Sequence, residues 1–206
     1  MRKAAWLAPL TGVLFVVVGM VSFGIAGEPP DVGDATLQEI VDFYSDNDDA
    51  VMIGSTLAAL AGALLVFFGA ALRRALQVAE TDGGYLSLVA FAGTVIIAIG
   101  FAIDATINFA IADTIDDLDP RSAQALLALW NNDFIPMMLG MFLFLTSVGI
   151  AVVRDGALPK WIGWVAIALA VIALTPIGFA SFLGGAILIV AISIVLTMRT
   201  RTASNV

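Results

Sequence analysis

Gly100-Phe101-Ala102-Ile103-Asp104-Ala105-Thr106-Ile107-Asn108-Phe109-Ala110 is an apolar run with one carboxylate and one amide inside it. Asp104 and Asn108 are four residues apart, so on a helix they share a face, and Gly100 extends the same stripe. The surrounding apolar stretch, residues 85–112, is long enough to cross a bilayer of ~30 Å hydrocarbon thickness, with length to spare for tilting or projecting outward. A carboxylate at membrane depth is costly to keep, so it faces a helix partner or a cavity rather than lipid.

Working outward, the composition agrees with lipid as the solvent. The chain has 206 residues, is 61% hydrophobic and 13% charged, with a mean hydropathy of +1.03. Soluble domains are roughly half apolar and a quarter charged. There is no Cys and no His. Disulfides, thiol nucleophiles, the usual zinc sites, His or Cys haem ligation and a His proton shuttle are therefore excluded.

Five further stretches match residues 85–112 in character. The predicted spans cover approximately 4–26, 51–72, 85–112, 134–153, 161–177 and 182–198, in one integral membrane domain, 1–206. The first could be mistaken for a signal peptide, with Gly24 and Ala26 as small residues before a polar stretch. Its apolar run is longer than the ~7–15 residues of such a segment, which favours an uncleaved span. In the second, Gly54, Ala58 and Gly62 make a smooth ridge for close helix approach, either inside one bundle or between two copies in a homo-oligomer. Trp161 and Trp164 read as interfacial anchors at the start of the fifth.

The connections sort by charge. Arg2, Lys3, Arg73, Arg74, Arg154, Lys160, Arg199 and Arg201 fall on one side of six spans, and only Arg121 on the other. The positive-inside rule puts the N- and C-termini in the cytoplasm of a bacterial or archaeal cell, with the plasma membrane as the location. The two outer loops, 28–50 and 113–133, are acidic. The first carries Glu28, Asp31, Asp34, Glu39, Asp42, Asp46, Asp48 and Asp49 without a Lys or Arg. Within it Leu37, Ile40, Val41 and Tyr44 recur at helical spacing, with Asp34 or Thr36 as cap, predicting a short amphipathic extracellular helix. Asp119 as cap with Pro120 behind it predicts a second helix start. That helix is expected to run through Trp130 into the fourth span, with a kink at Pro136. Both outer loops end in an aromatic followed by Asn and Asp, as Tyr44-Ser45-Asp46-Asn47 and Trp130-Asn131-Asn132-Asp133 show, which is a weak internal echo. The fold expected is all-α, a polytopic bundle of six transmembrane helices with one or two short outer helices.

Arg154-Asp155-Gly156-Ala157-Leu158-Pro159-Lys160-Trp161-Ile162-Gly163-Trp164 resembles a pattern in bacterial, chiefly actinobacterial-type, six-span membrane proteins, where a basic Leu-Pro-basic-Trp turn introduces the fifth span. The family it is most similar to is the DUF4386-like group. The resemblance covers span order and this turn, and it implies no particular activity, cofactor or site residue.

The candidate polar site within the membrane is Asp104 and Asn108, joined from the fourth span's entrance by Asn132 and Asp133 with Asn131 beside them. Together they would form an oxygen-rich pocket between the third and fourth spans, suited to a cation, a proton or a polar solute. The alternative for each is structural. Asp104 and Asn108 would fix helix packing by hydrogen bonds, and the 131–133 group would cap helix ends. No catalytic residue, metal ligand or cofactor site is identified. The acidic loops lack the EF-hand pattern, no phosphate-binding or dinucleotide fingerprint appears, and the chain is not expected to be an enzyme. Basic residues are too few and scattered for nucleic acid, so the partners expected are the lipid bilayer and a further copy or another membrane protein. Two function classes follow. One is a structural, regulatory or assembly protein of the membrane. The alternative is a small transporter or channel subunit for a proton, cation or polar solute, using Asp104.

Overall fold

In lipid, backbone donors and acceptors must be satisfied within their own segment, and a helix does this residue by residue. The computed structural model describes residues 7–81, 83–175 and 177–204, and among them no strand occurs. The expectations placed on Arg2, Lys3, the beginning of the first span at residue 4, Asp82 and Pro176 lie outside the described residues. Among the described residues seven α-helices follow one another: α1 (Thr11–Ala26), α2 (Leu37–Ala79), α3 (Tyr85–Thr114), α4 (Pro120–Trp130), α5 (Ile135–Asp155), α6 (Lys160–Ala173) and α7 (Ala180–Ser204). Five helical stretches are long and apolar enough to cross a membrane: Leu7–Ala26, Leu37–Ala79, Tyr85–Asp117, Pro120–Asp155 and Ala180–Arg201. The chain is thus an all-helical bundle with the composition of a multi-pass membrane protein. The stretch expected as the fifth span, 161–177, is instead the 14-residue helix α6.

Helix boundaries follow local chemistry. At the start of α2, the Thr36 hydroxyl accepts from the Glu39 backbone N–H at 3.2 Å, and the Glu39 carboxylate accepts from the Thr36 N–H at 2.7 Å. This reciprocal pair satisfies two end donors at once. Asp119 caps α4 through the Arg121 N–H, with Pro120 in the first turn. Gly83 and Gly84 take φ of 82° and 83°, a left-handed conformation that glycine adopts without strain, and reverse the chain into α3. Within the helices, the hydroxyls of Thr56, Thr106, Thr114, Ser193 and Thr197 donate to carbonyls four residues back. A hydroxyl bonded this way can face lipid without an orphaned proton.

One connection matches the sequence expectation and one differs. The amphipathic helix expected before the second span is present, and it meets the spanning part of α2 at a kink at Asn47 (φ −128°, ψ 17°). The Asn47 amide donates back to the Phe43 carbonyl and fills the gap in the ladder. Conversely, α4 does not run into α5. The chain turns at residues 131–134, and Pro136 sits in the first turn of α5, where its missing N–H leaves no bond unmade. The kink expected there is replaced by a break upstream.

Packing runs in chain order: α1 on α2, α2 on α3, α3 on α5, α5 on α6 and α6 on α7, with α7 closing back on α1. The Arg199 guanidinium donates to the Ala157 carbonyl, so the end of α7 returns to the α5–α6 turn. Glycines bring the axes together. A Cβ on Gly93 would lie 2.7 Å from the Phe144 nitrogen, and one on Gly140 would lie 2.8 Å from the Gly93 carbonyl oxygen. The ridge is used inside the chain, Gly54 against α1 at Ala26 and Gly62 against α3 at Ala98. The larger core gathers Phe68, Phe144, Leu65 and Ile162. A smaller one, Ile40, Tyr44, Ile111 and Leu127, joins the first turns of α2 to α3 and α4.

Candidate functional site

The site arises from a mismatch in length. Helix α3 has 30 residues and α5 has 21, so α3 is longer by ~13 Å. One stripe of α3 carries Gly93, Ile97, Gly100, Asp104 and Asn108 in sequence. Its lower part lies against α5 as far as Gly100, which faces the Met137 side chain and backbone. Beyond Gly100, α5 has not yet begun. There the stripe turns polar, and the opening of α2 and the end of α4 stand where α5 would have been.

Tyr44 of α2 is fully buried, and its hydroxyl donates to Asn108 Oδ1 at 2.8 Å. A buried phenol hydroxyl needs such a partner. The bond ties α2 to α3 across 64 residues of sequence. Asp104, one turn earlier, lines a cavity of about 470 Å³. Ser22 from α1, Ser55 from α2, Asn108, Trp130 at the end of α4 and Phe179 between α6 and α7 line it too. Glu28, exposed in the loop after α1, also borders it, so the cavity is continuous with the acidic end of the bundle. Among the described residues no Lys or Arg lines it. Toward the opposite end the interior is closed by rings, Phe15 edge-on to Phe101 at 5.5 Å and Phe68 against Phe144 at 6.4 Å. The cavity is therefore a vestibule with a floor. The Ser22 hydroxyl, which donates to the Gly54 carbonyl at 2.8 Å, fastens α1 to α2 along its wall.

Two polar atoms near Asp104 are buried without a hydrogen-bond partner: Trp130 Nε1 and Asp133 Oδ2. The Trp130 indole N–H is the hydrogen-bonding neighbour of the Asp104 carboxylate, in a contact too loose to satisfy Nε1 fully. Asp133 is within electrostatic reach of the Asp104 carboxylate. Buried polar atoms are nearly always satisfied, so a pair of orphans around one carboxylate marks an incomplete set of interactions.

Of the residues singled out from the sequence, Asp104, Asn108 and Asp133 come together. Asn132 does not: it is exposed, and its amide donates to the Ala128 carbonyl at 2.8 Å. Asn131 is the exposed C-cap of α4. The cavity also lies elsewhere than expected, bounded by α1, α2 and α3 rather than opening between the third and fourth spans. Tyr44 and Trp130 are the functional neighbours that the sequence reading left out of the site. The echo between the two outer loops held the signal, because its two aromatics are the ones that converge on the polar stripe. Their Asn residues share a role as well, Asn47 and Asn132 each donating to the carbonyl four residues back at a helix break.

No family model, curated protein or solved structure matches the chain. The site has to be interpreted from its own chemistry. It offers a carboxylate, an amide whose oxygen is already engaged, two serine hydroxyls and an indole in a floored cavity without basic residues. Such a set attracts positive charge or a donor-rich solute. Among the described residues, no group of three or more His, Cys, Asp or Glu side chains is placed to hold a metal ion.

Proposed function

We propose that the chain is a six-span plasma-membrane protein with cytoplasmic termini, and that it acts as a small transporter or channel subunit in which Asp104 receives a cation or a proton from the outer side. The observation that carries this reading is the vestibule, which reaches Asp104 from the acidic end of the bundle. Asp104 has the Trp130 indole as a neighbouring donor, as a packing role would also require, but it lines open volume as well, which packing does not require. Support for six crossings comes from Arg199 at the Ala157 carbonyl, because α6 and α7 must go out and return for that bond to form. With α6 as a short crossing, every described Lys and Arg except Arg121 lies at one end, the pattern of a cytoplasmic face. Helix α4 and the first turns of α2 are then the outer helices.

Asn108 supports a second, structural role. Its bond to Tyr44 holds α2 against α3 behind the vestibule wall that Asn108 lines. The two residues of the stripe thus divide the work, Asn108 positioning and Asp104 binding.

The test is flux. Purified protein in proteoliposomes is expected to show proton or cation flux that Asp104→Asn abolishes, while the substitution leaves the helical circular dichroism and elution profile unchanged. Flux equal in both proteins removes Asp104 from transport and returns the chain to the structural, regulatory or assembly class.

A further inference from the structure

The vestibule has more room and more apolar wall than a bare inorganic ion uses. Among the described residues the oxygen-bearing side chains that border it are Asp104, Glu28, Asn108, Ser22 and Ser55, and two of these are carboxylates. Its volume of about 470 Å³ instead falls among pockets that enclose small organic molecules, ~300–1,000 Å³. Its walls are aliphatic at Val51 and Ala58 and aromatic at Phe23, Trp130 and Phe179. Aromatic faces attract cations, most strongly where water is thinned out. The Trp130 indole stands at the same wall with its N–H loosely engaged by the Asp104 carboxylate, which puts charge and ring side by side.

From these features we infer that the vestibule takes an organic ammonium ion, its charge beside Asp104 and its apolar body against Trp130, Phe23 and Phe179. The inference rests on the proposed entry of solute from the acidic end, and it narrows that solute from any cation to a lipophilic amine.

The probe is 2-phenoxyethyltrimethylammonium, which carries a quaternary charge, a ring and an ether oxygen. Its neutral analogue, with carbon in place of the charged nitrogen, is the control. In calorimetric titration of the full chain in detergent, the ammonium compound is expected to bind saturably at one site. Neither the neutral analogue nor calcium chloride at matched ionic strength displaces it. Asp104→Asn weakens binding about tenfold or more, as expected when a carboxylate facing a poorly hydrated cation is neutralised. Phe179, which is 75% exposed, provides a second variant that does not disturb the core. Phe179→Ala is expected to weaken binding severalfold at an unchanged melting temperature. Equal affinity in folded Asp104→Asn or in Phe179→Ala overturns the inference, as does displacement by the neutral analogue. Asp104-dependent proton or sodium flux without saturable binding of the probe overturns this inference and leaves the proposed function intact. Absence of both flux and binding removes both.

Discussion

The two halves of α3 are built on one stripe and do opposite things. From Gly93 to Gly100 the stripe is small and apolar, and α5 approaches until backbone meets backbone. From Asp104 to Asn108 it is polar, and its neighbours stand back to leave a vestibule. Lipid gives helices little hydrophobic reason to associate, so close packing of small residues carries the first half. The second half carries a group that packing alone would not keep. The comparison teaches where a bundle of this kind can hold a site: at the end where a long helix outruns its neighbour, with the tight half below as its foundation.

The comparison breaks most readily in the tight half. Gly140→Leu puts a branched side chain into the Ile97 and Gly93 backbone, which has no flexible tip to yield. Overpacking of this kind costs about 1–3 kcal/mol or more. A large drop in melting temperature in detergent and loss of monodisperse protein are expected, whereas Gly24→Leu is tolerated, because a Cβ there meets nothing within 4 Å. Equal stability of the two variants would show that the glycine contact does not support the bundle.

A smaller effect sharpens the polar half. Tyr44→Phe removes the hydroxyl and leaves Asn108 Oδ1 without its donor. Helix-to-helix hydrogen bonds in membranes contribute ~0.6 kcal/mol on average. Tyr44→Phe and Asn108→Leu are each expected to lower stability by about that order, and the double variant by less than their sum. Strict additivity in the thermal unfolding cycle would mean that the bond does not tie α2 to α3.

The smallest effect lies at the entrance to α2, which delivers Tyr44 to the site. The backbone N–H of Thr36, and then its hydroxyl, donate to Glu39 and hold its carboxyl below the ordinary glutamate value of 4.5. A depressed carboxyl contributes stability above its unfolded value, and that contribution is lost as pH falls through the folded one. Slight fraying of the first turn of α2 is therefore expected as pH drops below 4.5, measured by amide hydrogen exchange at residues 37–40. Glu39→Gln flattens the dependence. A wild-type profile that is itself flat would remove the cap from the account.

Local rules made much of this readable. Thr36 with Glu39, and Asp119 with Pro120, announce helix starts within four residues of themselves. The apolar lengths announce the spans, and the Asp104–Asn108 spacing announces the stripe. What was not readable is what distant segments do together. Nothing near Tyr44 says that its hydroxyl will find an amide 64 positions later, although a tyrosine on the buried face of an amphipathic helix does ask for a partner. Pro136 suggests a kink only as long as the run through Trp130 is taken as continuous. The turn at 131–134 ends α4 at Trp130, which puts that indole on the vestibule wall. The position of the cavity among α1, α2 and α3 follows from Gly54 drawing α1 in, a pairwise choice that the ridge permits and does not specify.

The single-residue break at Asn47 has a consequence for life in real bilayers, whose thickness varies with composition. A long rigid rod would transmit any change of its slant in the lipid to its outer tip. With the rod jointed there, the spanning arm can lean to suit a thinner or thicker membrane while the outer arm keeps its place. Val51, Gly54, Ser55 and Ala58, which line the vestibule, all lie beyond the joint, so that wall leans with the long arm while Tyr44 stays with the short one.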